Sequence, residues 1–250
     1  MKKKLFYISI LFSVTIYGQS DSTSHLTLLT QYSFDRASAN GATYRVYSTE
    51  AILKSGRYTA VPTYRSKTIQ GIKASQYGMS FYRSFEKSYM HMTVSYSSDR
   101  IFPSWNIQSD YYQNIKKGIE LRLAYNYRSY SDNSKSHLGI LGLSYERNRI
   151  MIQYNAFLPL DNALSHQLSL RRLLKISGDY IQLSFTHGRD NNLTDIDRSD
   201  NHLSSYRFSF NKRLMNIISL SMTTAISDVS YTYERSLYVG YTIGIGIDIL

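Results

Sequence analysis

Cysteine is absent from all 250 residues. That excludes disulfides, thiolate nucleophiles and cysteine-held metals. Proline occurs only three times, too seldom for a stiff polyproline linker. Past the amino terminus, no apolar run approaches the roughly 20 residues that a spanning helix needs. Mean hydropathy is below zero. A helical membrane protein is therefore excluded, but a transmembrane β-barrel is not, because half of each barrel strand is polar. There is no H-E-x-x-H pair and no nucleophile elbow, so two familiar routes to hydrolysis have no sequence signature.

What the chain has in quantity is tyrosine, 24 in all. A tyrosine ring prefers apolar surroundings while its hydroxyl prefers water, so the residue gathers where acyl chains meet headgroups. The formal charge is +11. Residues 1–18 read as a secretory signal, leaving a mature region of 19–250. Lys2, Lys3 and Lys4 precede the apolar stretch Leu5 to Ile16, and Gly18 offers a cleavage point. Removing those lysines lowers the charge from +11 to +8. In an exported chain this excess points to anionic surface glycolipid or an anion-attracting lumen, and not to nucleic acid.

The clearest pattern runs from Trp105 to Tyr130. Ile119, Leu121, Leu123, Tyr125 and Tyr127 alternate with Glu120, Arg122, Asn126 and Arg128. The preceding arm sets Trp105, Ile107 and Tyr111 against Asn106, Gln108 and Asp110. Strand side chains alternate faces, so each arm has one oily and one polar face. The same alternation recurs along the chain. It is plain in Leu26 to Asp35, Ile72 to Phe85, Tyr89 to Ser97 and Tyr180 to His187, and Thr43 to Leu53 reads as the return strand of the first hairpin. It is clearest in the last stretch, Leu237 to Leu250, where Leu237, Val239, Tyr241, Ile243, Ile245, Ile247 and Ile249 share a face. Tyr58 to Tyr64 reads as a weaker strand carrying Pro62, followed by a loop over Arg65 to Gly71.

About fourteen strands result, with tight turns and longer polar loops alternating between them. That rhythm predicts an all-β fold: a closed, up-and-down, antiparallel transmembrane β-barrel. Short turns lie on the periplasmic side, longer loops lie outside, and an even count puts both chain ends together. The expected location is the cell outer membrane. The expected partners are outer-membrane lipid, anionic glycolipid, the barrel-assembly machinery and polysaccharide.

The chain resembles the YaiO family of outer-membrane β-barrels. The likeness is carried by S-S-D-R-I-F-P-S-W-N (Ser97 to Asn106) and by Y-Y-Q-N-I-K-K-G-I-E-L-R-L-A-Y-N-Y-R-S-Y (Tyr111 to Tyr130). It continues more weakly through Gln167 to Leu174 and Tyr180 to Gly188. The resemblance implies an outer-membrane location and brings no defined activity with it. Some related barrels are thought to sit near polysaccharide machinery. One departure stands out: barrels usually end on an aromatic residue, whereas this chain ends on Leu250.

Asp110, Glu120, Arg122, Asn126 and Arg128 are the candidate lumen-lining residues. Opposite charges on facing strands would pair there, either as a constriction that selects solutes or as a salt-bridged filling. The six histidines are scattered. His187 and His202 flank the longest loop and could approach each other. Asp190, Asp195, Asp197 and Asp200 lie in that loop. They offer oxygen ligands but lack the spacing of a calcium-binding loop. No cofactor, resident metal or enzymatic activity is expected. The leading expectation is passive transport of a saccharide or other small polar solute, or envelope organisation. Two other readings stay open: a lipid or glycolipid hydrolase with Ser and His at the outer rim, and a structural, surface-binding barrel with a filled lumen.

Overall fold

Alternating polarity carried through strand after strand has one stable outcome in lipid: a sheet that closes on itself. An open edge would leave unpaired N–H and C=O groups in hydrocarbon. The computed structural model describes residues 25–37, 43–159, 164–174, 179–189, 202–214, 218–230 and 235–249. Its strands are β1 (His25–Ala37), β2 (Thr43–Ser55), β3 (Tyr58–Ile69), β4 (Ile72–Ser84), β5 (Ser88–Tyr96), β6 (Trp105–Lys116) and β7 (Ile119–Ser129). They continue as β8 (Lys135–Arg147), β9 (Ile150–Pro159), β10 (Ser165–Leu173), β11 (Tyr180–Arg189), β12 (His202–Arg213), β13 (Ile218–Ser230) and β14 (Arg235–Ile249). Each pairs antiparallel with its sequence neighbours, and β1 pairs with β14 to close a barrel of 14 strands. The closing seam keeps the faces in step, with Leu28 opposite Ile247 and Gln31 opposite Gly244.

The usual distribution of residues is inverted. Leu123, Leu141, Leu143, Ile152, Leu170, Leu183 and Ile245 are exposed on the outer wall. Ser48, Gln76, Ser95, Asp110, Asn126, Asn155 and Ser169 are buried on the inner one. In water a continuous apolar exterior would be an aggregation liability; in a bilayer it is the face that acyl chains cover. The inner wall is not uniformly hydrophilic, however. Leu29, Ile52 and Val61 pack together with Tyr82 beside them, on β1, β2, β3 and β4. One sector of the interior is therefore filled by an apolar patch.

Two details of the hairpin rhythm differ from the sequence reading. The strand containing Pro62 does not stop at Tyr64 but runs to Ile69, and a two-residue turn at Gln70 and Gly71 replaces the expected loop. Arg65 and Lys67 look like loop residues, yet they take inward positions where charge is tolerated. Pro62 itself behaves as its chemistry requires. The β2–β3 register runs to Glu50↔Thr63 and resumes at Leu53↔Ala60, so the ladder is interrupted at the residue with no N–H. The signal segment, the Asn40-Gly41 turn, the acidic loop residues 190–200 and Leu250 lie outside the described residues.

Candidate functional site

Asp110 is the centre of the inner wall. Its side chain is fully buried, on a row shared with Asn106 and Gln108. Arg122 on β7 donates to Oδ1 from Nε at 3.0 Å and from Nη2 at 2.5 Å. Gln108 Nε2 donates to Oδ2 at 2.7 Å, and His91 Nδ1 on β5 lies 3.2 Å from the same oxygen. A buried carboxylate is tolerable only when paired and fully hydrogen-bonded, and here both oxygens are engaged. The contacts spread sideways. His91 Nε2 lies 2.8 Å from Thr93 Oγ1, which lies 2.7 Å from Ser80 Oγ. The His91 ring stacks on Tyr82 at 4.2 Å, and Tyr89 stacks on Tyr112 at 4.1 Å. The Arg122 guanidinium sits 5.5 Å from the centre of the Tyr112 ring.

Room for Arg122 is made by Gly142 on β8. A Cβ there would lie 2.9 Å from Arg122 Cβ and 2.5 Å from Asn155 Oδ1. Further round the wall, Asn155 donates to Gln167 and Gln167 to Thr186. Arg171 donates to Gln182 and Gln182 to Ser184. Ser205 meets Ser227, Thr223 meets Ser209, and Thr242 meets Ser33 across the β1–β14 seam. Much of the interior circumference is thus a belt of hydrogen-bonded side chains.

Each lumen candidate read from the sequence has a place on this wall. Asp110 and Arg122 are bonded to each other. Asn126 Nδ2 joins them through Asn106 Oδ1 at 3.0 Å and Gln108 Oε1 at 3.3 Å. Glu120 stands nearer the short turns, where Tyr89 hydrogen-bonds to it. Arg128 follows Asn126 on the inward row toward the long loops, opposite Asn106. His187 has Ser204 and His166 as its register partners, while His202 faces Arg189, so the strands do not set His187 and His202 opposite each other.

The segment between β5 and β6, which carries part of the family likeness, has no role in the sequence reading beyond that of a loop. Ser97 Oγ donates to the Ser75 carbonyl at 2.6 Å, and Asp99 Oδ2 accepts from the Ser75 N–H at 2.6 Å. These bonds tie the segment to β4 past the end of β5, at the long-loop end of the barrel. Phe102 is buried there, with the inward Lys67 ammonium 5.8 Å from its ring. The Asp-x-x-Phe-Pro spacing was visible in the sequence, but only the short length of β5 shows that the freed edge of β4 needs a partner.

The family model described as "YaiO membrane beta barrel domain" matches residues 16–193. No curated relative matches the sequence. Among solved structures, the chain is similar to the "CymD monoaromatic hydrocarbon channel". The TM-score is 0.59 at 9% identity, over 92% of this chain and 89% of that one. It is also similar to the "Bacterial polysaccharide outer membrane secretin", with a TM-score of 0.55 at 10% identity, over 92% of this chain and 99% of that one. These likenesses concern the fold alone. With the family model covering more than half of its length, the chain belongs to the YaiO membrane β-barrel family.

Proposed function

We infer that this chain is an outer-membrane channel whose lumen passes small polar solutes, anions and saccharides among them, by passive diffusion. The observation that carries this reading is the belt of hydrogen-bonded polar side chains around the inner wall. Basic residues predominate on the inward rows: Arg65, Lys67, Arg122, Arg128, Arg171 and Arg207 stand against Glu50, Asp110, Glu120 and Glu146. Fixed charges of this kind set a selective barrier for a passing ion. Phe102 and Lys67 stand together at the long-loop end, where a solute would enter on this reading. That one fold neighbour is a channel and another an outer-membrane polysaccharide secretin agrees with this reading. The partners that follow are outer-leaflet glycolipid around the wall, the barrel-assembly machinery during insertion, and polysaccharide at the cell surface.

The apolar patch of Leu29, Ile52 and Val61 supports a second reading, a structural barrel whose lumen is filled. Planar-bilayer recording of the purified, folded protein separates the two. Discrete conductance steps whose reversal potential in a salt gradient favours anions support the channel. A silent bilayer from well-folded protein supports the filled barrel.

A further inference from the structure

Three histidines on the outer wall near the long-loop end each meet a hydroxyl from a neighbouring strand. His137 Nδ1 lies 2.6 Å from the Tyr125 hydroxyl, and His166 Nδ1 lies 2.6 Å from that of Tyr154. His187 Nδ1 lies 3.0 Å from Ser204 Oγ. The first two partners are phenols at the membrane boundary, where aromatic hydroxyls belong. The third is an aliphatic hydroxyl at the separation that joins a serine nucleophile to its base.

His187 and Ser204 are register partners on β11 and β12. Both occupy outward rows. On those rows the next residues toward the turn end are Phe185 and Tyr206, followed by Leu183 and Phe208. With Leu168 and Leu170 of β10, these side chains wall a shallow depression of about 390 Å³ on the lipid face. A fatty-acyl chain fits such a groove, being apolar and slender. The Ser–His pair stands where the apolar band gives way to polar residues. Ester groups of a membrane lipid lie at that level, between chain and headgroup.

We propose that Ser204 and His187 form a nucleophile–base pair on the outside of the barrel, and that its substrate is an acyl-ester lipid whose chain occupies the groove. This goes beyond the lumen reading, which assigns the outer wall no chemistry. Ser204 Oγ attacks the ester carbonyl carbon while His187 Nδ1 takes the hydroxyl proton. The tetrahedral intermediate collapses, the ester C–O bond breaks, and His187 returns the proton to the departing alcohol. Water then attacks the acyl-serine, giving its proton to His187, and the fatty acid leaves as the Ser204 hydroxyl is restored. The net reaction is ester plus water to carboxylic acid plus alcohol, with no change of oxidation state. Two strands supply the whole pair, so it is assembled only in the folded barrel.

The test is release of the labelled chain from phosphatidylethanolamine carrying a fluorescent acyl group. The full chain is refolded in mixed micelles, and folding is checked by the migration of unboiled samples. Wild type releases the label. Ser204→Ala and His187→Ala lower the rate by about 100-fold or more, the range expected for losing a nucleophile or its base. His166→Ala, one strand away, keeps the rate. A fluorophosphonate adds to the wild type in intact mass and not to Ser204→Ala. Folded wild type that releases no more label than Ser204→Ala overturns the proposal, as does an equal loss in His166→Ala.

Discussion

Arg122 reaches Asp110 across the β6–β7 pair with two guanidinium nitrogens on a single carboxylate oxygen, Nε at 3.0 Å and Nη2 at 2.5 Å. The other oxygen is left for Gln108 and His91. Arg122→Met strands a buried carboxylate. The folded state should lose about 3 kcal/mol, the usual cost of removing one partner from a buried pair. Adding Asp110→Asn should return part of it, because the orphaned charge is then gone. Urea titration of the folded band on unboiled gels measures both. Equal losses in the single and double variants would mean that the pair is not coupled.

The segment between β5 and β6 gives a functional expectation. Asp99 ties it to the Ser75 N–H, and Phe102 is buried there with Lys67 against its ring. Phe102→Ala removes the bulk and Asp99→Ala releases the tether. On the channel reading, both should raise single-channel conductance relative to wild type, with Phe102→Ala also leaving Lys67 more open to passing anions. Unchanged conductance in both variants would take the constriction away from this segment.

Hairpins, strand faces and the polar centre of the inner wall were legible in the sequence because a period of two is hard to mistake. Asp110, Arg122 and Asn126 could be placed together from alternation alone. What alternation cannot give is the depth of a partnership. Nothing in the order of residues says that His91 and Gln108 complete the Asp110 shell, or that Gly142 clears space for Arg122. Arg65 and Lys67 were misread as loop because charge on a strand looks like solvent until the inside of the barrel is known. The apolar patch at Leu29, Ile52 and Val61 was hidden by the same rule, which expects every inward position to be polar. The Ser204–His187 contact depends on register between two strands separated by a long loop, and register is not written in either strand by itself.

The two walls should respond differently to the same charge. Leu141 and Ser144 lie three residues apart on β8, the first exposed outside and the second on the inward row. Leu141→Arg places a guanidinium in hydrocarbon and should cost about 2–4 kcal/mol. Ser144→Arg meets Glu120 across the ladder and should cost well under half of that. Unfolding in urea from lipid vesicles checks the ranking, and a reversed order would place lipid on the other face.

Gly118 and Gly56 separate space from backbone conformation. Both have positive φ, +82° and +56°. A Cβ on Gly118 would lie 2.2 Å from the Glu146 carbonyl oxygen, whereas one on Gly56 meets nothing within 4 Å. Gly56→Ala should cost about 1 kcal/mol from conformation alone. Gly118→Ala should cost at least twice that, since the β7–β8 edge must move as well. Similar losses at the two sites would show that the Glu146 contact is relaxed at little cost.

The chain carries one tryptophan, Trp105, and it is exposed on the outer wall at the long-loop end of β6. It reports directly on whether the oily face meets acyl chains. In vesicles containing brominated phospholipids, its emission should be blue-shifted and strongly quenched, more by bromine near the headgroup than by bromine near the chain end, and little affected by iodide in the water. Emission at the wavelength of a water-exposed indole, quenched by iodide and indifferent to brominated lipid, would contradict the membrane barrel itself.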